Sequence, residues 1–388
     1  MKIAISGAGV AGTTLAHWLH RSGHTPILIE RAPQFRTGGY MIDFWGVGYR
    51  VAQRMGIEEQ VRQDGYDVNC LRSVGTDGAV KAELDAEVLR RMVEDGFTSL
   101  PRGDLAAAIY RTIDDKVETR FGDSIAAIDQ HGHGVRLRFE HAAPEEFDLV
   151  IGADGLHSNV RRLECGPDEN YLQYLGCKVA ACVVDGYRPR DELAYVTYNT
   201  LDHQVARFAL RGDRTMFLFV FRAEPGDEAG PPRQQLRNEF GHLGWECPQI
   251  LAAVDDVDEL YFDVVSQVRM DRWSRDRVLL IGDAAGCISL LGGEGTGLAM
   301  TEAYIAAGEL VRANGDHRRA FDAHETRLRG LISSKQTGAR RLIGFFVTRT
   351  RFGLWFRNVA MRTMNFAPLA TLFAGNVRDD IELPEYGM

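Results

Sequence analysis

The sequence lacks the features that would mark a membrane-spanning or secreted protein. No window offers about 18 uninterrupted apolar residues, so no transmembrane helix is expected. The first predicted strand begins at Lys2, which leaves no room for a signal peptide. The six cysteines form neither a C-x-x-C pair nor a zinc spacing and are expected to be reduced thiols. These absences predict a cytoplasmic protein without disulfides or a metal site.

An excess of positive charge is also missing. The 388 residues carry a formal net charge of −9, which is spread over both halves of the chain and argues against a nucleic-acid partner. Hydrophobic residues make up 45% of the chain and charged residues 26%, as in ordinary folded proteins. The length suggests about two or three domains rather than a single core.

The first stretch of the chain predicts a strand, a glycine turn, a helix and a second strand. Residues 2–6 are a short apolar run, and Gly7, Gly9 and Gly12 follow it in the pattern G-x-G-x-x-G. Apolar residues at helical spacing come next, and a second apolar run covers residues 26–29. This order of elements is a complete βαβ unit of the kind that binds dinucleotides.

The spacing of these residues has a chemical reason. Gly7 permits a tight turn, Gly9 lets the backbone approach a pyrophosphate, and Gly12 lets the helix pack closely on the sheet. The free amides and the positive end of the helix favour a bound anion. Glu30, at the tip of the second strand, can accept the hydroxyls of a ribose and would repel a 2′-phosphate. The ligand is therefore expected to be FAD or NAD rather than NADP.

Two later segments repeat the pattern of a buried strand that ends beside an acid. Residues 147–151 lead into a turn that contains Asp154, and residues 277–281 lead directly to Asp283. A glycine-rich stretch, 292–297, then opens a long helix and provides a second helix start suited to anions. The nucleotide-binding domain is therefore predicted to be interrupted and then resumed.

The interruption has the alternating pattern of an antiparallel sheet, with strands at regular spacing between residues 175 and 223. Residues 224–232 are the most linker-like segment. The predicted fold is α/β: a Rossmann-type domain with a mixed sheet, interrupted by an antiparallel β-sheet domain and followed by C-terminal helices. The expected boundaries are 1–70, 100–170 and 270–330 for the first domain, 71–99 and 171–269 for the second, and 331–388 for a helical segment that braces both.

Four stretches of the sequence together resemble those of the single-component FAD monooxygenases of the para-hydroxybenzoate hydroxylase fold, whose compact members include the tetracycline-inactivating monooxygenases. They occur in the family's order, with the sheet domain in the expected gap. The matching stretches are the glycine motif with Glu30-Arg31, Arg102-x-x-Leu105, Asp154-Gly155-x-x-Ser158-x-x-Arg161 and Gly282-Asp283-Ala284-Ala285. The resemblance implies that FAD is bound by Gly7, Gly9, Ala11, Gly12, Glu30, Arg31, Arg102, Asp154, Gly155, Asp283, Gly293, Gly295 and Thr296.

The resemblance also implies the reaction. NADPH or NADH would reduce the FAD transiently, O2 would add to it, and a flavin C4a-hydroperoxide would pass one oxygen atom to an aromatic or polycyclic small molecule. No side chain can be assigned as a catalytic acid or base, because the cofactor carries the chemistry. The partners are then the substrate and O2, and the chain is expected to be a monomer or a weak homodimer.

The chain departs from the family at three positions. The family commonly has His after Gly-Asp-Ala-Ala, Pro before the glycines and Asn after them, whereas this chain has Gly286, Leu290 and Gly297. Their effect on the flavin site stays open. Two other functions also stay open: a flavin-dependent reductase or dehydrogenase, and a flavoprotein that binds and sequesters an apolar ligand. A flavin halogenase is disfavoured because its Trp-x-Trp-x-Ile-Pro signature is absent.

Several residues and segments allow two interpretations. Gly38 and Gly39 predict either a turn beside a bound ring or an ordinary loop. His203, Tyr195 and Tyr198 are candidate substrate contacts, although alternating aromatic residues in strands more often belong to a core. The same choice applies to a group of phenylalanines, Phe208, Phe217, Phe219 and Phe221. The apolar and basic segment 342–374 is predicted to brace the two domains, with a helix on a membrane surface as the alternative.

Overall fold

The computed structural model describes residues 1–35, 40–92, 96–224, 230–365 and 381–388. The predicted turn at Gly38 and Gly39 lies outside the described residues, as do residues 225–229 of the linker-like segment. The same is true of residues 366–380 within the C-terminal segment.

Strands and helices alternate along most of the chain. The strands are β1 (Lys2–Ser6), β2 (Thr25–Glu30), β3 (Met41–Trp45), β4 (Cys70–Val74), β5 (Val80–Asp85), β6 (Phe97–Pro101), β7 (Glu118–Phe121), β8 (Ile125–His131), β9 (Gly134–Phe139), β10 (Glu145–Phe147), β11 (Leu149–Gly152), β12 (Leu172–Asp185), β13 (Ala194–Asn199), β14 (His203–Leu210), β15 (Arg214–Arg222), β16 (Tyr261–Val268), β17 (Ser274–Arg275) and β18 (Val278–Leu280). The helices are α1 (Val10–Arg21), α2 (Gly46–Met55), α3 (Glu58–Asp64), α4 (Ala86–Met92), α5 (Arg102–Tyr110), α6 (Asn159–Cys165), α7 (Pro232–Phe240), α8 (Cys247–Asp255), α9 (Asp283–Gly286), α10 (Gly295–Arg312), α11 (His317–Phe346) and α12 (Arg351–Thr363).

The first sheet has β1 near its centre, in the order β17-β18-β11-β1-β2-β7. Its strands are parallel except for β17, which runs antiparallel to β18. Ile3 and Ile5 are fully buried, as the continuous apolar run of β1 requires when both faces of a sheet are covered. The predicted Rossmann-type domain with a mixed sheet is confirmed.

The second sheet has seven strands in the order β16-β12-β15-β14-β13-β4-β5. Its neighbours pair antiparallel, except that β4 and β13 run parallel, with Ser73 opposite Thr197. The sheet is therefore mixed rather than wholly antiparallel. The reason is that β4 reaches the sheet from the first domain, and no hairpin turn fixes its direction relative to β13. The predicted domain boundaries stay a prediction.

The two faces of this second sheet differ, because successive side chains of a strand point to opposite sides. One face packs on α7 and α8 through a cluster that includes Val196, Tyr198 and Phe217. The other face carries Tyr195 and Phe208, which pack beside Met41 and Tyr66 of the region around β3. We call this second side the flavin-side face, because it is the one that meets the nucleotide-binding domain.

The long helix α11 contacts both parts of the molecule. It packs along α10, and near its end Ile343 joins Val179 and Val220 of the second sheet in one apolar cluster. The short helix α12 follows and exposes an aromatic group on its outer side, formed by Phe352, Trp355 and Phe356. Within the described ranges, no helix is both long and apolar enough to cross a bilayer.

A close backbone contact joins α2 to the start of α10. A Cβ atom added to Gly48 would lie 2.3 Å from the Cα of Gly297, which is far inside a normal contact distance. The two helices can approach this closely only because position 48 is glycine, whereas a Cβ on Gly297 would lie 3.5 Å from the nearest atom, an ordinary contact. The departure from the family at Gly297 thus coincides with a tight helix contact.

We predict that Gly48→Ala pushes α2 away from α10 and destabilises the fold by roughly 1–3 kcal/mol, as overpacking does in other cores. Thermal unfolding measures the loss, and the fraction of protein that retains flavin reports on the helix start. Gly338→Ala is the matched control, because a Cβ at this position of α11 meets nothing within 4 Å. The control should unfold at the same or a slightly higher temperature, since alanine favours helices. An unchanged melting temperature for Gly48→Ala would contradict the contact.

Candidate active site

The glycine turn after β1 is fixed by packing. Gly7 has a φ of 100°, and a Cβ there would lie 2.6 Å from the carbonyl oxygen of Ala153. A Cβ on Gly12 would lie 2.0 Å from the carbonyl oxygen of Gly7. A Cβ on Gly9, in contrast, would meet nothing within 4 Å. Gly7 and Gly12 are therefore needed by the protein itself, whereas Gly9 borders open space.

The helix that follows presents unused hydrogen-bond donors to this space. Gly9 precedes α1 without a side-chain cap, and the first backbone bond of the turn runs from Thr13 N to Gly9 O. In the described part of the chain, nothing accepts a hydrogen bond from the amides of residues 10–12. Free amides at the positive end of a helix fit the pyrophosphate of FAD. The residues present therefore fit the cofactor that the sequence predicts.

Glu30 lies at the end of β2, beside the glycine turn. Its Oε2 atom accepts a hydrogen bond from the Ala8 amide at 2.9 Å, and its Oε1 atom accepts one from the Ala32 amide at 2.8 Å. The carboxylate thus holds the turn in place. The side chain of Arg31 is exposed, and the structure does not bring it into this group.

Asp154 is half-buried in the loop after β11. Its carboxylate accepts hydrogen bonds from Ser6 Oγ at 3.1 Å, from the Val160 amide at 3.0 Å and from the hydroxyl of Ser158. Burial raises the pKa of this carboxyl, and the hydrogen bonds oppose that shift. Asp154 therefore ties the loop to β1. Gly155, with a φ of 82°, makes the turn that follows.

Arg161 joins the two acid-containing loops. Its fully buried guanidinium donates to the carbonyl oxygens of Leu156 at 2.6 Å and Ala284 at 3.0 Å. It also pairs with Asp168 at 2.7 Å, so its charge is compensated. The Asp-Gly and Gly-Asp motifs are therefore one connected structure.

The second acid motif meets the glycine turn and the start of α10. A Cβ on Gly282 would lie 3.1 Å from the Cβ of Ala11, and Gly282 has a φ of 61°. The Oδ1 atom of Asp283 lies 3.9 Å from the position that a Cβ of Gly295 would occupy. Gly293, with a φ of 73°, makes the turn before α10, and Thr296 is half-buried in its first turn. Asp283 and the second anion-suited helix start are therefore neighbours.

Arg102 begins α5 and faces the same region. Its amide donates to the carbonyl oxygen of Tyr40 at 3.0 Å, and its side chain is half-buried. Tyr40, and after it Asp283, raise the pKa of the guanidinium. No residue that the structure describes forms an ion pair or side-chain hydrogen bond with it. Its donors are therefore available to a cofactor.

The sequence analysis did not predict some of the residues that lie near Arg102. Burial raises the pKa of Tyr40 to about 12, although its side chain keeps some accessible surface, so it borders an interior space. Tyr261 packs on it with ring centres 5.8 Å apart. Asp43, in the neighbouring strand β3, accepts a hydrogen bond from Ser99 Oγ and lies against Tyr195. The only sequence feature that could have indicated Tyr40 was its position directly after two glycines.

The candidate substrate contacts separate according to the face on which they lie. Tyr195 and Phe208 pack against each other on the flavin-side face, with ring centres 4.6 Å apart and ring planes tilted by 36°, and Phe208 is fully buried. Tyr198 packs on Trp245, and His203 Nε2 lies 2.9 Å from a carboxylate oxygen of Glu239, both on the opposite side. The remaining phenylalanines of that group also lie in the cluster on α7 and α8: Phe217, Phe219 and Phe221. Packing is thus the interpretation that applies to them.

The other two departures from the family follow from the packing of α11. A Cβ on Gly286 would lie 2.8 Å from Cγ2 of Ile332 in α11. Leu290 begins a short 3-10 turn and packs on the cluster that contains Ile343 of the same helix. The changed residues therefore serve the contact between α11 and the cofactor region.

The fold and the site together define an FAD-binding oxidoreductase that contains a second, seven-stranded sheet beside the nucleotide-binding one. Comparison with known proteins agrees with this class. A family model described as "FAD binding domain" matches residues 1–321. A flavin-dependent monooxygenase of Legionella longbeachae is 33% identical over 364 residues, which cover 92% of this chain and 88% of the relative. An uncharacterized protein of Mycobacterium tuberculosis is 36% identical over 345 residues, 86% of this chain and 91% of the relative.

A solved structure is similar over almost its whole length. The crystal structure of the tetracycline destructase Tet(51) aligns with a TM-score of 0.81 and 30% identity, and 99% of each chain is covered. The chain belongs to the FAD-dependent monooxygenases of the para-hydroxybenzoate hydroxylase fold. The predicted enzyme class and the FAD cofactor, with a nicotinamide nucleotide as reductant, are confirmed. No comparison favours the reductase or the sequestering protein.

Glu302 is a further buried acid beneath the Gly-Asp motif. Its Oε2 atom accepts a hydrogen bond from the Gly282 amide at 2.7 Å, and 2% of the residue is exposed. Burial raises its pKa to about 8. His324, also buried, lies beside it with a pKa lowered to about 4 by burial, so it supplies no positive charge at neutral pH. The acid within the apolar run of α10 was the signal that could have identified this position.

We predict that Glu302→Gln becomes increasingly stable relative to the wild type as pH rises from about 5 to about 8. The carboxyl group ionises near its ordinary pKa in the unfolded chain but only near pH 8 in the folded protein. Raising the pH through this window therefore destabilises the wild-type fold. The glutamine variant keeps the acceptor for the Gly282 amide but does not titrate. Melting temperatures of both proteins across this range test the prediction, and a constant difference between them would contradict it.

Proposed function

We propose that the enzyme adds one oxygen atom to a planar, polycyclic aromatic molecule bound between the second sheet and the nucleotide-binding domain. The flavin-side face supports this proposal, because its aromatic residue Tyr195 packs beside Met41 of β3, next to the cofactor region. An adjoining cleft of about 690 Å³ is lined by apolar residues such as Met41 and Met216 and by five acidic side chains, Asp104, Asp185, Asp256, Asp258 and Glu259. Such a volume suits a drug-sized ligand. The similarity to a tetracycline destructase agrees with a substrate of several fused rings.

We also propose roles for the residues around the cofactor. The amides at the starts of α1 and α10 would hold the pyrophosphate and the pyrimidine side of the flavin, and Glu30 would bind the ribose. Arg102 and Asp283, which carry opposite charges, would both contact the central part of the cofactor. When bound, FAD accepts a hydride from NAD(P)H and, after reaction with O2, supplies the oxygen atom that is transferred.

The protein itself would contribute orientation, a fixed electric field and exclusion of water. The positive end of α10 favours negative charge on the reduced ring. The apolar side chains of the flavin-side face keep bulk water away from the reacting atoms. The polar group of Asp43, Ser99 and Tyr195 provides hydrogen bonds at the edge of this face.

The first experiment is a visible spectrum of the purified protein, followed by NADPH and NADH oxidation with an oxygen electrode. We expect a yellow protein whose nucleotide and O2 consumption increase with one member of a panel of phenols, quinolones and polyketide aromatics. The product should carry one added oxygen atom by mass spectrometry. Oxidation of NAD(P)H without O2 uptake would instead indicate a reductase, and ligand binding without oxidation would indicate sequestration.

We further propose that the enzyme works in the cytoplasm, as a monomer or weak homodimer, without binding membranes. The inward sides of α11 and α12 already pack within the protein, since Ile343, Val347 and Met361 are buried. Residues 331–365 contain basic but no acidic side chains, so anionic vesicles are the strictest test.

We expect the protein to stay in the supernatant when centrifuged with neutral or anionic phospholipid vesicles. As a brace between the two sheets, α12 stays attached to the second sheet through the contacts of Arg357 and Met361. Pelleting with anionic vesicles that is lost on replacing Trp355 by Ser would contradict this proposal. Trp355 is the appropriate variant because it is 59% exposed and has no structural contact in the core.

A further inference from the structure

Tyr261 lies where the cleft of about 690 Å³ meets the cofactor region. It lines the cleft and is 38% exposed, so a ligand can reach its ring. It also packs on Tyr40 with ring centres 5.8 Å apart, and the carbonyl oxygen of Tyr40 accepts a hydrogen bond from the Arg102 amide. Partial burial raises the pKa of the Tyr261 hydroxyl, and Arg102 and Asp283 are among the charges that act on it. Tyr261 is therefore a neutral aromatic residue that borders both the cleft and the residues that fit FAD.

The strand that carries Tyr261 is held by strand pairing on one side. In the part of the chain that the structure describes, β16 is the outermost strand of its sheet and pairs with β12. Tyr261 and Asp263 are alternate residues of β16, so both side chains lie on the flavin-side face, while Phe262 packs in the cluster on α7 and α8. The Tyr261 hydroxyl also donates to Asp263 Oδ2 over a long distance of 3.4 Å. A contact that holds Asp263 therefore also restrains Tyr261.

His157 makes such a contact from the Asp-Gly loop. Its Nε2 atom lies 3.2 Å from Asp263 Oδ1, and its Nδ1 atom lies 3.9 Å from Asp168 Oδ2 in the turn after α6. Arg161 of α6 is the further charge that acts on the ring, and it pairs with Asp168 at 2.7 Å. The imidazole thus joins a loop of the nucleotide-binding domain to the edge of the second sheet.

The strength of this contact depends on the protonation of His157. An imidazolium carries a proton on both ring nitrogens, so it interacts favourably with Asp263 and Asp168 together. A neutral imidazole keeps one N–H group, and the lone pair of its other nitrogen then faces a carboxylate. The hydrogen bond to Asp263 raises the pKa of His157 above its ordinary 6.5 and Asp168 adds to this effect, whereas burial and Arg161 oppose it. The contact is therefore strongest in acid and weakens as the pH rises through the folded pKa.

We propose that Tyr261 is a specificity-determining residue whose ring packs on the aromatic substrate, and that His157 is a positioning residue that holds Tyr261 through Asp263. A substrate ring in the cleft would cover the exposed part of Tyr261, and aromatic rings attract each other in offset or edge-to-face arrangements. Loss of the proton from His157 would loosen β16 on this side of the cleft and weaken substrate binding. This proposal rests on the proposed function and adds to it the residue that recognises a ring and the residue that controls its position.

The first measurement needs no substrate. Melting temperatures of the FAD-loaded wild type and His157→Gln are compared from about pH 5.5 to about pH 8.5, the range in which histidines titrate. A histidine whose pKa is raised on folding stabilises the fold at low pH, and this contribution is lost as the pH rises through the folded pKa. The wild type should therefore melt at the higher temperature in acid, and the difference should shrink in base. His133→Gln, in the exposed turn between β8 and β9, is the control and should show no such trend.

The second measurement uses probes that stay neutral over this range: benzamide, naphthalene carboxamide and anthracene carboxamide, titrated into the FAD-loaded protein by flavin absorbance. We expect Tyr261→Ala to bind the preferred probe at least about tenfold more weakly, and Tyr261→Phe, which keeps the ring, to stay within about threefold. The affinity of the wild type should fall about three- to tenfold as the pH rises, as the loss of one hydrogen bond predicts. His157→Gln should bind equally at every pH, and His133→Gln should follow the wild type. If Tyr261→Ala does not fold, Tyr261→Leu serves in its place.

Three results would overturn the proposal: no binding of any probe by the wild type, an unchanged affinity in Tyr261→Ala, or the same pH dependence of affinity in His157→Gln as in the wild type. A pH-dependent melting difference without any change in affinity would leave His157 with a structural role alone. The proposed function fails separately. A yellow protein that consumes O2 with an aromatic although Tyr261→Ala binds normally would remain a monooxygenase, whereas a protein that cannot take up FAD would reject the function itself.

Discussion

The approach of the glycine turn to the end of β11 is the constraint on which the rest of the structure depends. Gly7 lies against the backbone of Ala153, and Gly12 lies against Gly7, so neither position can carry a side chain. This contact sets the distance between the first helix and the Asp-Gly loop. Arg161 then connects that loop to the Gly-Asp motif through Ala284. Elements that are far apart in the chain thus form one rigid frame around the cofactor site.

Within this frame, some ionisable side chains pair with an opposite charge and others do not. Arg161 is paired with a carboxylate and connects the loops, whereas no described residue forms an ion pair with Arg102. Glu302 has no cationic partner among the described residues, and its carboxyl group accepts a hydrogen bond from one backbone amide. Both Glu302 and Arg102 lie beside the Gly-Asp motif.

The sequence predicted the frame better than the walls of the substrate site. The glycines, Glu30 and Asp283 follow strands directly, so local patterns determine their positions. The order of the second sheet could not be read in the same way, because β4 joins it from a distant part of the chain. Asp43 and Tyr195 meet only through tertiary packing, and no spacing links residues so far apart. The close contact of Gly48 with Gly297 escaped prediction for the same reason.

The two faces of the second sheet also bear on how such an enzyme diverges. On β13, Val196 and Tyr198 belong to the core with α7 and α8, whereas Tyr195, Thr197 and Asn199 face the cofactor domain. Natural selection can therefore act on alternate residues of one strand for different reasons. Mutations that shift substrate preference should accumulate at every second position while the intervening positions drift little. A lineage can acquire new chemistry in this way without rebuilding its scaffold.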